Sequence, residues 1–124
     1  MNNIELEKEI IYKSLLEISS EAFRLKKAYE HIINLLDIKE QKKSLNKIKW
    51  FENKLSDGLE KCELRIVNFE GEVYSTGIPA TPIYIEDFES SDELYVKQTI
   101  EPTIIDKNAV IVQSGSIILE KVLK

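Results

Sequence analysis

The side chains able to do chemistry in this sequence are few and scattered. His31 is the only histidine and Cys62 the only cysteine. A catalytic imidazole needs a partner held beside it in a cleft, and His31 falls in a helix-forming run, off the apolar seam traced below. It reads as a solvated surface histidine. Cys62 closes an apolar stripe and reads as a packed thiol, because no histidine lies nearby in sequence and burial raises a thiol's pKa. One cysteine allows neither a disulfide framework nor a zinc cluster. The acidic run Glu86-Asp87-Phe88-Glu89-Ser90-Ser91-Asp92-Glu93 lacks the alternating oxygen ligands and central glycine of a calcium loop, and reads as solvated. The sequence has no glycine-rich phosphate loop, no paired-histidine metal motif, no CxxC and no nucleophile elbow. The expectation is a chain that is not an enzyme and that takes no cofactor and no metal.

Residues suited to contact are better represented. Trp50 stands one step off an apolar stripe, where it either packs against an adjoining domain or anchors a partner. Tyr74, Tyr84, Phe88 and Tyr95 exceed what a small β core can bury, so some of them are expected at a binding surface.

Two halves of different composition must position these residues. The first glycine is Gly58 and the first proline Pro79, which leaves 57 residues free of helix breakers and rich in Leu, Ile, Glu and Lys. Within them Ile4, Ile11, Leu15, Ile18, Ala22, Leu25, Tyr29, Ile32 and Leu36 are spaced 7, 4, 3, 4, 3, 4, 3 and 4. That is a heptad seam, with Leu15, Ala22, Tyr29 and Leu36 at a, and Ile4, Ile11, Ile18, Leu25 and Ile32 at d. A helix this long, roughly 50 Å at about 1.5 Å per residue, exceeds what a small domain can cover. The seam is therefore expected to dimerise. Tyr12, Leu16, Phe23, Ile33 and Leu35 broaden the stripe, as in a helix with more than one neighbour. Periodicity lapses over 37–44 and resumes with Leu45, Ile48, Phe51, Leu55, Leu59 and Cys62. The lapse reads as a turn near 39–44 before a second, shorter helix, or as one continuous helix.

Residues 64–69, 82–85 and 94–96 read as short strands. Residues 109–112 and 116–119 read as a hairpin closed by Gln113-Ser114-Gly115. Pro79, Pro82 and Pro102 belong to loops, strand starts or edges. The expected fold class is α+β: a helical dimerisation segment over 1–62, as a coiled coil or bundle, and a small, mostly antiparallel β domain over 63–124. Residues 1–62 carry 12 Lys+Arg against 11 Asp+Glu, whereas 63–124 carry 5 against 11. That acidic half disfavours a nucleic-acid backbone and suits a basic protein surface. No nucleic-acid partner is expected. The start of the chain is acidic and amphipathic, unlike a signal peptide, and no apolar run is long enough for a membrane span. A cytoplasmic protein with no membrane partner is the resulting expectation.

The layout and several short motifs resemble GrpE, the family of nucleotide exchange factors for DnaK-type (seventy-kilodalton heat-shock) chaperones. Gly71-Glu72-Val73-Tyr74, followed by the Pro-containing stretch from Ser75 to Pro82, is similar to that family's Gly-x-x-aromatic turn. Val110-Ile111-Val112 and Ile117-Ile118-Leu119 are similar to its two terminal apolar strands. The family's acidic-Pro pair and His-Glu-Ala run give way here to Ser75-Thr76-Gly77-Ile78-Pro79-Ala80, and its Gly-Tyr element to Glu101-Pro102-Thr103. The resemblance implies a homodimeric cochaperone that binds a DnaK-type ATPase and promotes ADP release. Gly71, Tyr74, Pro79, Pro82, Tyr84, Glu101 and Pro102 are the candidate partner contacts, and Ile11, Leu15, Ile18, Ala22, Leu25, Tyr29, Ile32 and Leu36 the candidate dimer contacts. The reading from another class is a coiled-coil scaffold, or an immunity- or antitoxin-like inhibitor whose acidic face blocks a basic protein.

Overall fold

The computed structural model describes residues 2–123 of the chain. It is α+β: two helices followed by two three-stranded sheets. The chain divides into two compact units, Met1–Gly58 and Leu59–Lys124.

Helix α1 spans Asn3–Ile33. Asn2 caps it, its side-chain oxygen accepting the Glu5 N–H at 2.8 Å, and Glu5 adds a negative charge in the first turn. Helix α2 spans Ile38–Lys61. The break between them falls at residues 34–37, earlier than the expected turn near 39–44. Asp37 makes the difference: its carboxylate accepts the Glu40 N–H at 2.9 Å, and its carbonyl accepts the Gln41 N–H at 2.9 Å. Asp37 followed three residues later by Glu40 is a helix-start pattern that needs no Gly or Pro. The helices run antiparallel, because Lys26 Nζ reaches Glu52 Oε1 at 2.8 Å.

The buried side chains of α1 are Leu16, Ser19, Phe23 and Ile33. Lys26, half-buried, continues the same stripe, its ammonium 5.4 Å from the centre of the Phe23 ring. These are the residues beside the heptad seam rather than the seam itself. On α2, Ser44 and Ile48 are buried and Phe51 and Leu55 half-buried. Cys62, expected to be packed, is exposed just past the end of α2. There the chain leaves the helix through Glu63 at φ 60°, which carries it off the apolar stripe.

The second unit is organised by one long bent hairpin. Strand β1 is Leu64–Val67, β2 Ala80–Ile83, β3 Leu94–Glu101, β4 Thr103–Asp106, β5 Ile111–Gln113 and β6 Gly115–Lys121. One sheet has the order β1-β4-β5 and the other β2-β6-β3. Pro102 separates β3 from β4, and Ser114 separates β5 from β6, so each arm of the hairpin passes from one sheet into the other. The expected hairpin with its turn at 113–115 is therefore displaced. The tight turn lies at 107–110, where the Asp106 carboxylate accepts the N–H groups of Asn108 and Val110 at 2.8 and 2.9 Å. Gly115 has a different task. A Cβ there would lie 2.3 Å from the Glu101 carbonyl oxygen, so only glycine lets the two arms approach at the elbow.

All pairings but one are antiparallel; β2 runs parallel to β6. Pro82 lies in β2, an edge strand, where its missing N–H leaves no gap in the sheet. The expected strand over 82–85 begins and ends earlier, because Tyr84 turns into the left-handed region at φ 61° and opens a 3-10 turn at Ile85–Asp87. Alternation in β6 buries Gly115, Ile117 and Leu119, and β3 contributes Leu94 and Val96. A bulge between Val96 and Gln98 then shifts the phase, so that Thr99 points inward. Ala80, Leu94, Val96, Ile117 and Leu119 form the core, with Phe69, Tyr74, Ile78 and Phe88 packed around it. No helix among the described residues is long and apolar enough to cross a membrane.

Candidate functional site

Two surfaces, one in each unit, hold the candidate contact residues. On α1 the seam splits. Its a positions Leu15, Ala22 and Tyr29 are half-buried, turned partly toward the packed stripe. Its d positions Ile4, Ile11, Ile18, Leu25 and Ile32 are all exposed, by 53 to 70%. Leu36, beyond the helix end, is exposed as well. Within one chain α1 thus has a covered face along 16-19-23-26-33 and an apolar row at an unbroken seven-residue interval left in solvent.

The β unit distributes the other candidates unevenly. Gly71 and Tyr74 form an added rung on the free edge of β3: the Gly71 N–H donates to the Val96 carbonyl and the Tyr74 N–H to the Leu94 carbonyl, both at 2.8 Å. Gly71 takes φ 89°, a conformation open to glycine. The Tyr74 ring is half-buried against the core. The Pro79 carbonyl accepts the Thr103 hydroxyl at 3.0 Å. Glu101 and Pro82 are half-buried, flanking the elbow and the β2 edge respectively. Pro102 is fully buried at the elbow, and this corrects its assignment as a partner contact: the bend that Pro102 makes places its ring inside the unit.

Tyr84 is the candidate best placed to meet a partner. It is 63% exposed, its backbone is held left-handed, and it is followed by Glu86, Asp87 and Glu89, all exposed. A bulky residue at positive φ is uncommon and persists where the surrounding structure holds it there. Asp92 steadies this acidic segment from its far end, accepting the Glu89 N–H at 2.9 Å and lying 3.6 Å from Lys121 Nζ. Sequence reasoning did not single out Val73, Val110 and Ile111, which are also exposed. From the sequence Val110 and Ile111 read as strand residues and Val73 as part of the Gly71–Tyr74 turn, and neither reading says which side faces outward.

An open depression in the same unit is lined by Phe88, Tyr95, Leu119, Glu120, Lys121 and Val122, with Leu123 beside them. In it the Tyr95 hydroxyl donates to Glu120 Oε2, and Lys97 Nζ lies 3.3 Å from Glu120 Oε1. The hydrogen bond to Glu120 raises the Tyr95 pKa above the ordinary tyrosine value. The Tyr95 hydrogen bond, with that of Lys97 second, lowers the Glu120 pKa. This is a cross-strand tie, with no nucleophile beside it. Among the described residues no three of His, Cys, Asp and Glu are grouped to hold a metal ion. His31 and Cys62 are both exposed and lie in different units. No protein-family model matches the sequence, and no curated protein or solved structure matches it.

Proposed function

We propose that this chain is a non-catalytic, homodimeric protein-binding module that acts as a cochaperone: it pairs through α1 and presents its β unit to a DnaK-type chaperone, promoting ADP release. The observation that supports the reading most is the exposed row Ile4, Ile11, Ile18, Leu25 and Ile32. Five large aliphatic side chains on one helix line call for a partner, and a seven-residue interval is the register in which a second copy of the same helix fits. Covering them contributes about 1–2 kcal/mol per side chain, enough for a stable pair. An exchange factor needs no catalytic group. It works by binding the open, nucleotide-poor form of its ATPase more tightly than the closed form, and by linkage lowers nucleotide affinity by the same factor. The Gly71–Tyr74 rung, the stretch to Pro82 and exposed Tyr84 form the contact region in this reading.

The test is the rate of ADP release from a DnaK-type chaperone with the native chain and with Tyr84→Ala. Acceleration by the native chain that falls at least tenfold in the variant supports the assignment. Binding without any change in release rate overturns exchange.

One feature favours a second reading, a scaffold or an immunity- or antitoxin-like inhibitor of a basic protein. Exposed Tyr84 adjoins the acidic segment 86–93, while Tyr74 and Pro102, which the exchange-factor resemblance brings forward, are drawn into the packing. An acidic surface around an aromatic anchor suits a basic target.

A further inference from the structure

The outward face of α2 has no part in either reading. At about 100° per residue, Lys39, Lys43, Lys47, Trp50 and Lys54 fall within an arc of about 80° on this helix. Lys42 and Lys49, with Asn46 and Asn53, border it. All of these residues are exposed, Trp50 by 64%. Asp57 is the acid inside the arc, and Glu40 lies at its border. Three of the four lysines of α1 are partnered: Lys13 and Lys26 each have a carboxylate within 3.5 Å, and Lys27 has one at 3.9 Å. Among the described residues, Lys43 is the one α2 lysine of this face with a carboxylate within 4 Å, Glu40 at 3.9 Å. The chain as a whole carries a net charge of −5, so this concentration of cations is local.

We infer that this face binds the backbone of a single-stranded nucleic acid, with Trp50 stacking on a base. Two observations select that occupant among polyanions. Successive lysines at i, i+4 rise about 6 Å along the helix, so charge is delivered along a line of about 22 Å from Lys39 to Lys54 rather than at one spot. Trp50 lies on that line between Lys47 and Lys54, with Lys54 Nζ 5.8 Å from its ring centre, an exposed flat π face among cations. Base–aromatic stacking beside backbone charges is how single strands are held without sequence preference. A membrane surface fits less well, because the apolar face of α2, Ser44, Ile48, Phe51 and Leu55, is turned inward. The acidic half, residues 63–124, led to the expectation of no nucleic-acid partner; this face lies in the other half, whose charges nearly balance in sequence and are sorted by the helix onto one side.

Trp50 is the only tryptophan, so the full chain carries its own probe. Oligothymidylate and oligouridylate titrated into the native protein at low salt should quench and shift Trp50 emission. The apparent Kd should rise steeply with salt, the logarithmic slope amounting to about 0.7 per phosphate engaged. By fluorescence polarisation of a labelled strand, Lys43→Glu/Lys47→Glu should weaken binding at least tenfold and Trp50→Ala several-fold. Lys13→Glu on α1 should stay within twofold of native. Circular dichroism identifies any variant that fails to fold, and for such a variant Lys43→Gln/Lys47→Gln takes its place with the same expected direction. No binding at low salt, equal affinity for polyglutamate or for anionic phosphatidylserine vesicles, or affinity unchanged in the double variant would each overturn the inference. These outcomes are independent of ADP release.

Discussion

Thr103 and Gly115 close the elbow of the bent hairpin: the Thr103 hydroxyl accepts the Gly115 N–H at 3.0 Å while donating to the Pro79 carbonyl at 3.0 Å. Both residues are buried. One side chain therefore ties the start of β4 to the start of β6 and to the approach to β2.

Two substitutions test this tie. Thr103→Val keeps the shape and removes the hydroxyl, leaving the buried Gly115 N–H unpaired, which costs about 1–3 kcal/mol. Gly115→Ala forces a Cβ against backbone that cannot move aside, with a cost of about 3 kcal/mol. Urea denaturation should show both losses, the alanine variant being the weaker fold. A Gly115→Ala protein as stable as native would refute the close-approach account.

Ala109 occupies the turn between β4 and β5 at φ 62°. An alanine pays a steric penalty there that glycine avoids, so Ala109→Gly should raise stability by up to about 1 kcal/mol. Asp106→Ala, which removes the carboxylate accepting two turn N–H groups, should lower it by about 1–2 kcal/mol. Thermal melts of the two variants should move in opposite directions.

The Tyr95–Glu120 tie sets two pH dependences. Glu120 has a depressed pKa, so its contribution is present above the unfolded carboxylate value and disappears as pH falls through the lower folded value. Tyr95 has a raised pKa, so its contribution is present below the unfolded tyrosine value near 10 and disappears as pH rises through the higher folded value. In an ultraviolet titration one of the five tyrosines should ionise late, and Glu120→Gln should bring it back toward the others. A titration curve identical in native and variant protein would dismiss the tie.

The α1 row predicts a dimer mass by light scattering at micromolar concentration. Ile18→Asp or Leu25→Asp should give a monomer that keeps its helical circular dichroism, since within one chain both side chains are in solvent and a carboxylate there is hydrated. A monomeric native chain would contradict the pairing.

Much of the architecture was legible because it depends on local composition. The absence of Gly and Pro before Gly58, the heptad intervals and the clustering of β-branched residues after Glu63 reflect short-range rules. What was not legible depends on distant contacts. The seam residues Ile18 and Leu25 and the neighbouring Leu16 and Phe23 are alike in sequence, and only the return of α2 along one side decides which are covered. The strand ending at Ile83 rather than Ile85 rests on a left-handed tyrosine that no propensity favours. Gly115 looked like a turn residue because glycine serves both turns and close approaches, and its partner, Glu101, comes from the other arm.

The bent hairpin also imposes an order of assembly. Ile105 meets Ile111 across a short turn, whereas Leu64 must find Asp106 and Ala80 must find Gly115 over much longer loops. Loop-closure entropy favours the near pairing, and β1 and β2 have no neighbour in either sheet until β4 and β6 exist. Strands 94–121 are therefore expected to pair first, and the two outer strands to add to a template already bent. Until they do, the outer edges of β4 and β6 are open, and this is the interval in which the nascent chain is most exposed to strand exchange with its neighbours.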